Sequence, residues 1–268
     1  MATNISVWAA MSLRNVFNDP AFLAALATAT NSQVTITPTF DSSGVLADRI
    51  LAGTVTRPDV FMSAATDQMQ RLVTSIPSLV TSGNVVQVLR NNLVLIKNRA
   101  AGLPVPIDSF GNVDAVHTVT PGTVQIYIAA TQTYKVPAGY YAQQAFQYFG
   151  SAVWNWISTA ANATITSMNT VAAVLAAVAA SNNAPAIGAV YATEASSYDI
   201  MTPPVVPNPV EIIAVAPAPV NINIIYPAAP LSASPNLTAA QQFVNFLASS
   251  AAWPSFQKWG FIPISAMP

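Results

Sequence analysis

The sequence predicts an α/β fold built on mainly parallel sheets, and two observations predict it. Short apolar runs rich in β-branched residues alternate along the chain with stretches of helical spacing. Several of the helical stretches open just past such a run, on a Ser, Thr, Gly or Pro. A strand that feeds a capped helix is the unit of a parallel sheet, and such sheets take ligands at the carboxyl ends of their strands.

The first unit of this kind is Val7-Trp8-Ala9-Ala10-Met11-Ser12-Leu13-Arg14-Asn15. Ile5 to Ala10 reads as a short buried strand. Ser12 stands where a helix begins, with Leu13, Val16 and Phe17 at helical spacing after it. A strand entering a serine-capped helix leaves backbone N–H groups at the positive end of the helix dipole, which suits an anion. One serine cap is more often only a cap, but the device recurs. Ser42-Ser43-Gly44 precedes Val45 to Leu51, and Val136-Pro137-Ala138-Gly139 precedes Tyr140 to Phe149 with its Pro near the first turn. Ser167-Met168-Asn169-Thr170 precedes Val171 to Ala180. Helix starts of this sort, converging on one spot, hold a small anion with no Lys or Arg required.

The remaining elements follow in order. Val34 to Phe40 alternates like a strand, Ser42 to Ala52 reads as a helix, Asp59 to Ala64 as a third strand, and Asp67 to Leu79 includes a helix. Val85 to Ile96 is strand-like, and a crossover between lobes is placed there. Pro104 to Val119 is irregular, with Gly111-Asn112 as a turn. Val124 to Ala130 is the next strand. A helix from Pro137, an aromatic segment around Trp154 and Trp156, the helix from Val171 and a strand from Ala186 to Tyr191 follow. Met201 to Pro209, with four prolines, reads as a stiff loop. Glu211 to Val215 and Ile222 to Tyr226 are strand candidates, Pro230 to Pro235 a loop, and Thr238 to Ala248 an amphipathic helix before the closing Trp253 to Phe261.

Composition narrows the function. The 268 residues suffice for one large domain or two lobes, and 53% are hydrophobic, so the chain folds. Only 7% are charged and the net charge is −1, against roughly 25% charged residues in ordinary domains. That excludes a basic surface for nucleic acid or a polybasic membrane patch. With 9 basic and 10 acidic side chains, the chain escapes most of the self-repulsion that acid imposes once carboxylates of pKa about 4 are protonated. The expectation is a protein working outside the cytoplasm of an acidophile. There is no cysteine, hence no disulfide or thiolate metal site. Val171 to Ala192 is apolar, but Ser181-Asn182-Asn183 and Pro185 break it, so a buried helix and strand are expected rather than a membrane span. No signal peptide is visible, since Met1-Ala2-Thr3-Asn4 leads directly into the first strand. The chain is then cytoplasmic, or a processed form with a new initiator Met.

The residues resemble the periplasmic molybdate-binding proteins of bacterial ABC importers, within the type II periplasmic binding protein family. The matching pieces are Val7 to Leu13, Phe40-Asp41-Ser42-Ser43-Gly44 with Leu46-Ala47, and Pro58 to Ala64. They continue with Asn92 to Ile96, Val136 to Ala142, Gly188-Ala189-Val190-Tyr191 and Trp259-Gly260-Phe261. The resemblance implies a two-lobed α/β fold, with lobe one at 1–86 and 231–268, lobe two at 87–230, and the ligand in the inter-lobe cleft. It implies that Ser12 and Ser43 hold the oxyanion by hydroxyls and N–H groups, Ala138 and Val171 by N–H groups, and Tyr191 by its hydroxyl. Molybdate or tungstate is then the ligand, a membrane permease the partner, and the chain a periplasmic monomer with no cofactor and no catalysis. Two departures bear on the ligand. Ala129-Ala130-Thr131-Gln132 stands where the family commonly has a Gly-Asp-Pro-like stretch, and Asn169-Thr170 where an acid often precedes the position of Val171. A different tetrahedral oxyanion, or a sensing module without transport, are the alternatives.

Other residues read as structural. Tyr191, apart from the resemblance, is a core tyrosine at a strand end. His117 is the sole histidine and cannot build a zinc site without cysteine. Asp59 and Asp67 pair with no Glu as acid and base. No Gly-x-Ser-x-Gly elbow appears, so a Ser-His-Asp hydrolase is the weakest reading. The tryptophans are core or surface aromatics, lacking the basic partners a nucleic-acid platform needs.

Overall fold

The computed structural model describes residues 1–115, 124–129, 136–158, 165–182, 184–200, 208–221 and 223–264. His117, Thr131-Gln132 and most of the proline-rich stretch from Met201 lie outside them. The chain divides into two compact units, Met1–Arg90 with Asn223–Pro268, and Asn91–Ile222.

The first unit carries a six-stranded sheet of β1 (Thr3–Ala10), β2 (Val34–Asp41), β3 (Val60–Met62), β4 (Val86–Arg90), β10 (Ile225–Pro230) and β11 (Ile262–Pro263), in the order β11-β4-β10-β3-β1-β2. Its helices are α1 (Arg14–Phe17), α2 (Pro20–Ala29), α3 (Ser43–Ala52), α4 (Thr66–Val73), α10 (Leu237–Ala248) and α11 (Trp253–Lys258). The second unit carries a five-stranded sheet of β5 (Leu93–Asn98), β6 (Gln125–Ala129), β7 (Ile165–Met168), β8 (Ala186–Tyr191) and β9 (Val210–Val215), in the order β7-β6-β8-β5-β9. Its helices are α5 (Pro137–Tyr148), α6 (Ser151–Ser158), α7 (Val171–Ala180), α8 (Ala192–Ile200) and α9 (Ala218–Asn221).

Both sheets are mixed. In the first, β1 runs parallel to β2 and β3, while β10 and β11 run antiparallel to their neighbours. In the second, β6 runs parallel to β7 and β8, and β5 is antiparallel to β8 and β9. The parallel trios are the strands whose connections contain helices. A parallel neighbour needs a long crossover, and β4 passes to β5 through Asn91-Asn92 alone. The chain passes between the units at Arg90/Asn91 and at 222/223, and β4 and β10, which precede and follow these points, hydrogen-bond to each other within the first sheet.

Local sequence explains the elements. In β1, Ile5, Val7 and Ala9 are fully buried and alternate with more exposed residues. Pro38 is tolerated because β2 is an edge strand, and Pro227 because a register shift falls between Tyr226 and Pro227 in β10. All six residues of β8, a central strand, are buried. The strand β10 begins at Ile225, three residues later than the expected Ile222, since Asn223 and Ile224 still belong to the turn that enters it.

The core of the first unit is aromatic. Phe17 stacks on Phe22 at 5.0 Å, and Phe243, Phe246 and Phe256 pack around this pair at 5.3–5.9 Å. Two buried carboxylates fasten its loops. Asp59 accepts bonds from the Ser6 N–H (2.8 Å), Ser234 Oγ (2.5 Å) and Asn236 Nδ2 (3.3 Å), tying the β10–α10 loop to β1. Asp19 caps α2 by accepting the Ala21 N–H (2.9 Å), and it accepts Lys258 Nζ (2.6 Å) and Trp259 Nε1 (2.8 Å) from the chain's last helix and the residue after it.

Two carboxyls make stability depend on pH in opposite senses. Burial raises the Asp19 carboxyl, but the bonds from Lys258, Ala21 and Trp259 outweigh it and hold the group below its ordinary 3.8. Its contribution is present above 3.8 and is lost as pH falls through the lower folded value. Burial pushes Glu194, in the first turn of α8, from 4.5 up to about 7, with the Thr193 hydroxyl bond offsetting part of the rise. That contribution is fully present below 4.5 and is lost as pH rises through about 7. Thermal melting is therefore expected to show Tm rising as pH is lowered from 8 through about 7 toward 4.5, and Glu194→Gln is expected to flatten that rise.

Candidate functional site

In the first unit the three parallel strands end on one edge, with Ala10 of β1 opposite Asp41 of β2, and Ala9 opposite Met62 of β3. Beyond β1 the chain makes a 3-10 turn, Met11–Leu13, before α1. Ser12 lies inside that turn and does not cap it. Ala10 holds the cap position with no side-chain bond. The Ser12 hydroxyl instead lies 3.0 Å from the Tyr226 hydroxyl on β10. Serine spacing alone does not tell a cap from a residue two positions further in.

Ser43 is the first residue of α3, with Ser42 at the cap position. Its side chain is 1% exposed, and its Oγ accepts the N–H of Ala64 at 2.9 Å. That bond ties the start of α3 to the chain just past β3. Ser63 turns on itself there, donating to the Ala65 carbonyl (2.7 Å) and accepting the Ala65 N–H (3.0 Å). Asp41 accepts the Ser42 N–H at 2.8 Å. Ser12 and Ser43 thus stand just past the ends of adjacent strands.

In the second unit β6, β7 and β8 end on a common edge, and the three remaining candidates belong to it. Ala138 is fully buried in the first turn of α5, behind Pro137 at the helix start. Val171 opens α7, whose cap, Thr170, accepts the Ala173 N–H at 3.1 Å. The cap takes a donor two residues further in. The Val171 N–H stays among those a helix cannot satisfy internally. Tyr191 is the last residue of β8 and is buried. Each of the three therefore sits at the end of a strand or at the start of the helix that follows one. Of the departures noted above, Ala129 ends β6, and Asn169-Thr170 is the link between β7 and α7.

The start of α7 is held by its far end and its flank. Asn98 donates to the carbonyls of Val178 (3.3 Å) and Ala179 (2.8 Å) at the helix C-terminus. Gly188 in β8 lets the helix approach closely, since a Cβ there would lie 2.8 Å from both Val174 and Val178. A second network sits at the start of α8, where Thr193 accepts from Asn91 Nδ2 (3.0 Å) and donates to Glu194 (2.9 Å). Sequence reasoning overlooked Tyr226, Ala64, Asn98 and Glu194. Tyr226 offered the one legible signal, a tyrosine with a hydroxyl to place inside an apolar strand.

Residues 5–262 match the family described as bacterial extracellular solute-binding protein. The chain belongs to that family. Among its relatives is "Putative ABC transporter substrate-binding lipoprotein YvgL" of Bacillus subtilis (strain 168), 26% identical over 231 residues, covering 86% of this chain and 76% of that protein. The solute-binding protein also superposes on the periplasmic molybdate-binding protein of Azotobacter vinelandii, with TM-score 0.71, 19% identity, and 98% and 99% of the two chains covered. The sulfate-binding protein SubI of Mycobacterium tuberculosis H37Rv fits as well, with TM-score 0.72, 15% identity, and 98% and 88% covered. Proteins named for tungstate, phosphate and iron share the fold too. These likenesses show the two-lobed fold and leave the solute open.

Among the described residues, no group of three or more His, Cys, Asp or Glu side chains is placed to hold a metal ion. No helix among them is long and apolar enough to cross a membrane.

The close approach at Gly188 gives a test of how the second unit sets its donors. Gly188→Ala forces α7 off β8 and is expected to destabilise the protein by about 1–3 kcal/mol, the usual range for overpacking. Denaturant unfolding measures it, and an unchanged midpoint would show that α7 is not held at this distance.

Proposed function

We propose that this solute-binding protein is the substrate-binding component of an ABC importer for molybdate or tungstate, with the oxyanion held by Ser12, Ser43, Ala138, Val171 and Tyr191. The observation that carries the reading is placement. All five residues stand at the carboxyl ends of the parallel strands, or at the start of the helices that follow them, and none is charged. Oriented N–H groups and hydroxyls suit a ligand made only of acceptors.

Membership of the solute-binding family supports the rest of the proposal. In this reading the chain works outside the cytoplasm, hands its solute to a membrane permease, acts as a monomer, and performs no chemistry on the ligand. A different tetrahedral oxyanion is the second reading, favoured by the departures at Ala129 and at Asn169-Thr170. A set of fixed donors selects by radius, and molybdate and tungstate are nearly equal in size while sulfate is smaller.

Isothermal titration calorimetry against molybdate, tungstate, sulfate and phosphate tests this. Molybdate and tungstate are expected to bind alike and far more tightly than sulfate. Sulfate binding as tight as molybdate would reassign the ligand, and no binding to any of them would refute the reading. Ser12→Ala and Ser43→Ala should each cost about 1–3 kcal/mol of binding free energy, the range for an unmade hydrogen bond to a charged group.

A further inference from the structure

We infer that Tyr226 is a positioning residue for the ligand, acting through Ser12. The inference rests on Ser12 being a ligand donor, as proposed above.

Tyr226 is fully buried, and its ring packs edge-on against Phe261 at 5.3 Å. Its hydroxyl lies 3.0 Å from Ser12 Oγ, and the two residues are 214 apart in sequence. A hydroxyl carries one proton and two acceptor lone pairs. For Ser12 to donate to an anion, its proton must point at the ligand. The Tyr226–Ser12 bond then runs only one way, with the phenol donating and Ser12 accepting. A phenol is intrinsically a more acidic hydroxyl than an aliphatic alcohol and therefore the better donor of the pair. Tyr226 fixes the Ser12 rotamer and leaves its proton free for the ligand.

Ser43 shows the same arrangement with no ambiguity of direction. Its Oγ accepts the Ala64 backbone N–H at 2.9 Å, so its own proton is available to donate. Both candidate serines of the first unit thus have one lone pair filled by a donor from the framework, one from a side chain and one from a backbone. A serine without such a partner rotates freely and loses entropy when it orders around a ligand. The backbone donor cannot be removed by substitution, but the Tyr226 hydroxyl can.

The test is a double-mutant cycle read by calorimetry with molybdate as the probe, on wild type, Ser12→Ala, Tyr226→Phe and the double variant. Tyr226→Phe keeps the ring and is expected to weaken binding about threefold to tenfold, the span of one neutral hydrogen bond. In the Ser12→Ala background the same change should alter affinity less than about twofold, because the two hydroxyls act as one unit. Unchanged affinity in Tyr226→Phe, or an equal loss in both backgrounds, would overturn the inference while leaving the ligand site standing. Wild-type affinity in Ser12→Ala would instead remove the site reading on which it rests. Should Tyr226→Phe not fold, 3-fluorotyrosine placed at 226 keeps the ring and makes the hydroxyl a stronger donor. At mildly acidic pH it should tighten binding in the Ser12 protein and not in Ser12→Ala, and equal affinities in the Ser12 protein would refute the role.

Discussion

A doubly charged anion taken out of water must be neutralised, and this fold offers neutral dipoles for the task. Strand ends in a parallel group and the starts of the helices that follow them present N–H groups that the helices cannot use. The constraint acts on the sequence as a demand for small residues at those points. Ser43 and Ala138 are buried there with almost no accessible surface. A larger side chain at either position would cover the backbone donors that the fold exposes.

Neutral groups also do much of the structural work that charges do in other proteins. Asn98 holds the end of α7, and Asn221 accepts the Leu93 N–H and donates to the Ala216 carbonyl, fastening the chain where it leaves the second unit. Asn208 bonds the Ala195 carbonyl and the Val210 N–H at the start of β9. Asp59 is a buried carboxylate satisfied by a backbone N–H, a serine and an asparagine. Of the charged side chains, Lys97 and Arg99 meet Glu211, Arg71 meets Asp48, and Lys258 meets Asp19. A chain with 7% charged residues can therefore pair many buried polar atoms with neutral ones, because amides and hydroxyls pair without the desolvation penalty of an ion.

Much of this was legible in the sequence because strand and helix patterns are local. The strand Ala186–Tyr191 was readable to the residue, since a central strand is a continuous apolar run between a proline and a helix. The starts of α3, α5 and α7 were readable from Ser, Pro and Thr at the right offsets. What was not legible depends on partners distant in sequence. Ser12 looks like a cap until Tyr226 supplies its bond. The strand β10 was placed early because Asn223 and Ile224 are apolar-flanked like strand residues, and only pairing with β3 and β4 fixes its start. Asp19 and Lys258, 239 residues apart, gave no local sign of each other.

Diffraction can show whether the five uncharged residues hold one oxyanion. Crystals grown with molybdate and measured at the molybdenum absorption edge would locate the metal atom without reference to the protein. A single strong peak is expected, with oxygens in hydrogen-bond reach of the hydroxyls of Ser12, Ser43 and Tyr191 and of the N–H groups of Ala138 and Val171. A peak bound elsewhere, or one held by Lys and Arg side chains, would contradict it.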